Sequence, residues 1–213
     1  MIVKFIIFVV IIIQVLAKKD DATTELNKLK IKVESEVNTF EENSKKWQQN
    51  LFQDVLKFDN KTLEDVNKKI KRIKENVAKL KPKNPKCVDD QKEAISKLDG
   101  LGKSFYPCSS QVAGSTERNI GEFQNRVARA KGQLDMLEDR IKGCAENEDC
   151  LTAVIRDIKK SNIAKEIEDI TGKTEDFVNV KKNELNHCST VDKVKDRGDE
   201  IVNKIRECID KHY

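Results

Sequence analysis

The chain has 213 residues, of which 41 are Lys or Arg and 37 are Asp or Glu, for a net charge of +4. Charged residues make up 37% of it and aromatics 5%, with 8 Gly and 3 Pro. So few aromatics and turn formers exclude a β-sandwich and fit long helices. So mixed a charge balance argues against a dedicated nucleic-acid binder, which concentrates its positive charge.

Met1–Lys4 is a short basic start, and Phe5–Leu16 is apolar apart from Gln14. Val15-Leu16-Ala17 supplies a cleavage site after Ala17, so residues 1–17 show the three-part pattern of a secretory signal. The apolar run is about a dozen residues, short of the ~20 that span a bilayer. We expect cleavage, a secreted mature chain beginning at Lys18, and no transmembrane segment.

Residues 18–81 form an N-terminal amphipathic segment, and from residue 24 onward it holds no Cys, Gly or Pro. Leu26, Leu29, Val33, Val37, Phe40, Trp47, Leu51, Val55 and Phe58 recur at near-helical spacing. Leu63, Val66, Ile70, Ile73, Val77 and Leu80 step by three and four. Asp59-Asn60-Lys61-Thr62 favours caps and turns, which predicts two long amphipathic helices, about 24–58 and 62–81. Their stripes can pack within the chain, self-associate as a coiled coil, or bind an apolar ligand or membrane surface. The candidate partner or ligand face is Phe40, Trp47, Leu51, Val55, Leu63, Val66, Ile70, Ile73 and Val77. Asn60-Lys61-Thr62 is also an N-glycosylation sequon, which makes Asn60 a candidate acceptor. The lysine-rich stretch 68–74 reads first as the wet face of its helix and second as a contact for phosphates or heparin-like chains. Residues 82–86, with Pro82 and Pro85, read as a stiff linker.

All six cysteines follow that linker: Cys87, Cys108, Cys144, Cys150, Cys188 and Cys208. An even number in a secreted chain reads as three disulfides. Zinc sites want close cysteine pairs with histidine partners, and this spacing offers neither. The gaps are nearly symmetric about position 147, as a helical hairpin folding back on itself would give. That favours nested pairing, Cys144–Cys150, Cys108–Cys188 and Cys87–Cys208. The rival is local pairing, Cys87–Cys108 and Cys188–Cys208.

The outgoing arm carries Phe123, Val127, Ala130, Leu134, Leu137 and Ile141, an a/d seam over three heptads. The chain turns at residues 145–149 and returns through Leu151, Val154, Ile158, Ile163, Ile167 and Ile170. Gly172 predicts a break, with a new helix starting at Thr174-Glu175-Asp176. A last helix carries Val191, Val194, Ile201, Ile205 and Cys208. The predicted fold is all-α: an elongated, disulfide-stapled helical hairpin or bundle over 87–213, preceded by the two amphipathic helices.

Candidate chemistry is sparse. His212 lies at the chain end and His187 beside Cys188, so neither makes a credible base. The carboxylates alternate with lysines as helix-surface pairs do. No P-loop or dinucleotide fingerprint occurs, and no cofactor or catalytic residue is expected. The functional expectation is a non-enzymatic interaction or structural module that binds a macromolecule or itself. The alternative is a carrier of lipid or another apolar ligand.

Six cysteines over 87–208 in a signal-bearing helical chain resemble an insect secreted family named for a tsetse-fly midgut protein. The resemblance implies an extracellular arthropod protein of disulfide-bonded helices and transfers no catalytic residue. It leaves residues 18–86 outside, and the tsetse protein's Glu-Pro repeats are missing. Odorant-binding proteins, another six-cysteine helical group, place their second and third cysteines three residues apart. Here Cys108 and Cys144 are 36 apart, so that resemblance fails.

Overall fold

A computed structural model describes residues 2–145 and 147–211, with side chains from residue 14 onward. Among the described residues the regular elements are all helices: α1 Ile2–Leu80, α2 Pro85–Asp89, α3 Lys92–Ser96, α4 Leu98–Gly102, α5 Phe105–Gly143, α6 Glu148–Lys160, α7 Ile163–Asn186 and α8 Val191–Lys211. None of them is long and apolar enough to cross a membrane. The disulfides are nested: Cys87–Cys208, Cys108–Cys188 and Cys144–Cys150, with Cα–Cα distances of 5.7, 5.5 and 5.5 Å.

Three local expectations are corrected. First, α1 runs unbroken through residues 59–62. Thr62 is buried and Asp59 half-buried there, so packing holds residues whose side chains would otherwise compete for the backbone. Second, α7 passes through Gly172 without a break. Ile167, Ile170, Thr174 and Val178 are all buried, and that shared face outweighs the ~1 kcal/mol that a helical glycine costs. Third, the linker is shorter than predicted. Asn84 caps α2 by accepting from the Cys87 N–H, and Pro85 takes the first turn, where its missing N–H costs nothing.

The packing also does not divide at residues 82–86. The chain forms two compact units, each drawing on both sides of that position: Met1–Trp47 with Arg118–Phe177, and Gln48–Glu117 with Val178–Tyr213.

In unit 1 the α1 stripe, Leu26, Leu29, Val33, Val37 and Phe40, meets the α5 seam at Val127, Ala130, Leu134 and Ile141. Leu151, Val154 and Ile158 of α6 and Ile163, Ile167 and Ile170 of α7 close the core. Phe123 and Phe177 pack edge-to-face, 6.2 Å between centroids. Gln124 donates to the Ser44 hydroxyl at 3.1 Å. Of the expected 145–149 turn, Glu146 lies outside the described residues. Ala145 takes a left-handed φ of 48°, and Asn147 caps α6 by accepting from the Cys150 N–H at 2.9 Å.

In unit 2, Val66, Ile70, Ile73 and Val77 of α1 pack with Val88, Leu98 and one face of α8, namely Val194, Ile201, Val202, Ile205 and Ile209. Val112, Leu185 and Cys188 form a smaller cluster beside Val55, Phe58 and Cys108. The Thr190 hydroxyl ties the start of α8 to α4 by donating to the Gly102 carbonyl at 2.9 Å.

Candidate functional site

The predicted partner face lies mostly inside. Phe40, Leu51, Val66, Ile70, Ile73 and Val77 are buried, and Val55 and Leu63 are half-buried. Trp47 packs on the unit 1 core and meets Phe40 edge-to-face at 6.3 Å. Amphipathic spacing was sufficient to find this stripe. It could not say that α5, α6, α7 and α8 of the same chain cover it.

What α1 offers outward is mostly polar, interrupted by the exposed Leu16, Ile31, Phe52 and Leu56. In unit 2 a cleft of about 640 Å³ is lined by Asp54, Lys57, Lys61 and Asp65 of α1, by Lys182 and Asn186 of α7, and by Asp192 of α8. Lys182 pairs with Asp54 at 3.2 Å across it. Thr62 also lines the cleft. The sequon is therefore split: Asn60 is exposed on α1 while its threonine is buried.

The remaining electrostatics are helix-surface pairs. Glu25, Glu138 and Asp157 in unit 1 and Glu64, Glu93 and Glu200 in unit 2 are held below the ordinary carboxylate range. In each, the largest cause is a hydrogen bond from a neighbouring Lys or Arg. Among the described residues no group of three or more His, Cys, Asp or Glu is placed to hold a metal ion. His187 stands exposed after α7, and His212 lies outside the described residues.

Sequence reasoning stopped the lysine run at Lys74. The run continues through Lys79, Lys81, Lys83 and Lys86, all exposed. A charge count over a short window, rather than over the chain, carries that signal.

Compared with known proteins, the chain matches no family model, no curated protein and no solved structure.

Proposed function

We propose that the chain is a secreted, non-enzymatic interaction protein whose contacts are made through the polar outer faces of its helices. The observation that carries this is the fate of the α1 stripe. Ile70, Ile73 and Val77 sit in one core and Val33, Val37 and Phe40 in another, so the stripe is closed to partners, which meet a largely charged and amide surface broken by Ile31, Phe52 and Leu56. Three disulfides support an oxidising, extracellular setting. The signal-like residues 1–17 support export, and exposed Asn60 supports a glycan there. Membership of the tsetse-midgut family rests on the cysteine spacing and is proposed on that footing alone. An apolar ligand would have to displace these packed residues, which ranks the carrier reading second.

Native mass spectrometry of the secreted protein, without reductant, tests this. The expected spectrum shows a chain starting at Lys18, six oxidised cysteines and no small apolar passenger. Cross-linking in the native fluid should then recover a macromolecular partner or a second copy. Extra mass that leaves on denaturation and extracts into organic solvent would establish the carrier instead.

A further inference from the structure

One face of unit 2 carries a charge that the whole-chain balance hides. Between Val66 and Val88 stand nine Lys or Arg and a single acid, Glu75, a net +8 in a chain whose total is +4. Ile70, Ile73 and Val77 are buried in the core. At 3.6 residues per turn this sets Lys68, Lys71, Arg72 and Lys79 on the opposite side of α1, and all four are exposed. Lys81, Lys83 and Lys86 extend the charge over the turn into α2. Of the nine, only Lys68 and Lys74 have an ion-pair partner among the described residues, Glu64 at 2.5 Å and Asp99 at 3.1 Å. Beside the stripe runs a shallow groove of about 480 Å³, where Asn67, Lys71 and Lys74 present donors alongside Glu75 and Asp99.

We propose that this face binds a sulfated polysaccharide of the glycosaminoglycan type, which takes the interaction reading above and gives it a partner. Eight of the nine basic residues are lysines. Their compact ammonium groups suit separate sulfates and lack the planar fork with which arginine reads base edges. No aromatic occurs between residues 59 and 104, so a nucleic acid would find no stacking platform. The exposed large apolar side chains of the described residues all fall outside residues 57–105, so a membrane would find no anchor beside the charge. From Lys68 to Lys79 the stripe extends about 16 Å along the helix, enough to follow a linear polyanion.

The test uses the full disulfide-bonded chain and three variants. One is Lys71→Glu/Arg72→Glu/Lys79→Glu, and the second carries Gln at the same three positions. The third is Lys131→Glu/Lys165→Glu/Lys173→Glu, which makes the same charge change at exposed positions of unit 1. The probes are a heparin oligosaccharide, duplex DNA of matched charge and phosphatidylserine vesicles. Heparin should bind tightest, with an affinity that falls steeply with salt. Losing three counterion-releasing contacts should weaken it roughly 100-fold near 0.15 M salt in the first variant. The glutamine variant should also lose most binding while keeping full helicity, which separates lost charge from lost fold. The unit 1 variant should stay close to the parent. An equal loss in the unit 1 variant, or DNA or vesicle binding as tight as heparin, overturns the proposal. Failure to bind heparin removes this site and leaves partner capture to support the interaction reading. Heparin binding by a chain that cells retain with residues 1–17 uncleaved would instead overturn secretion.

Discussion

Gly198 sits where α8 crosses α1, and a Cβ there would lie 2.2 Å from Ile73 Cδ1 and 2.5 Å from Ile73 Cγ1. Two effects of Gly198→Ala oppose each other. Replacing a helical glycine is worth about 1 kcal/mol in propensity, while overpacking a filled core costs about 1–3 kcal/mol. The clash should win, because Cγ1 is close to the backbone of a β-branched residue with little χ1 freedom. Gly198→Ala is therefore expected to lower the urea midpoint, and Ile73→Ala, costly for a buried residue, should cost less in that background than in the parent. Additive effects in that double-mutant cycle would show that the two residues do not meet. Gly121 and Gly132 face open space where a Cβ would stand, so their cost is propensity alone. The sequence drew notice to Gly172 and not to Gly198, because a glycine's neighbours across a helix crossing leave no mark on its own helix pattern.

At the level of elements, unit 1 has a charged clamp. Glu138 of α5 accepts from Lys30 of α1 at 2.5 Å and pairs with Lys142 of its own helix at 3.0 Å. These partners, Lys30 first, lower its pKa from 4.5 to about 2. A carboxylate with a depressed folded pKa stabilises the fold above its unfolded pKa and loses that contribution as pH falls through the folded one. The window here runs from about pH 4.5 down to about 2. Glu138→Gln should be less stable than the parent at pH 6, with the gap closing as pH approaches 2. Urea melts along that titration measure it, and a gap independent of pH would show that the pair does not couple α1 to α5. The helices around this clamp were legible to different degrees. The α5 seam was plain because Phe123 to Ile141 repeat the three-four step through three heptads. The expected ends at residues 59–62 and at Gly172 were misread because local turn preference is worth tenths of a kcal/mol to about 1 kcal/mol per residue. Burial of Thr62, Ile170 and Thr174 exceeds that. The α1 stripe was visible, but its partners were not, since the same spacing serves a core, a coiled coil or a ligand face.

For the molecule as a whole, the near symmetry of the cysteine gaps exposed a hairpin logic, and the bridges divide unequally between the units. Cys87–Cys208 and Cys108–Cys188 join the two chain segments of unit 2, across sequence separations of 121 and 80. Cys144–Cys150 spans only 6 residues within unit 1, and the segment up to Trp47 is joined to 118–177 by packing, ion pairs and hydrogen bonds, with no disulfide between them. In the chain-entropy picture the short loop contributes about 2 kcal/mol. The outer bridge, closed over a chain already tied at Cys108–Cys188, contributes nearer 4 kcal/mol. Cys87→Ala/Cys208→Ala should therefore lower stability by about twice as much as Cys144→Ala/Cys150→Ala. Hydrogen exchange adds a readout by location. With all bridges intact, amides around Val33 and Val37 should open at lower free energy than those around Ile70 and Ile73, because the latter pack on segments that two bridges hold together. Removing the outer bridge should narrow that difference, since Cys108–Cys188 still joins the two segments. Were protection around Ile70 unchanged without Cys87–Cys208, packing and the remaining bridge would be what hold unit 2.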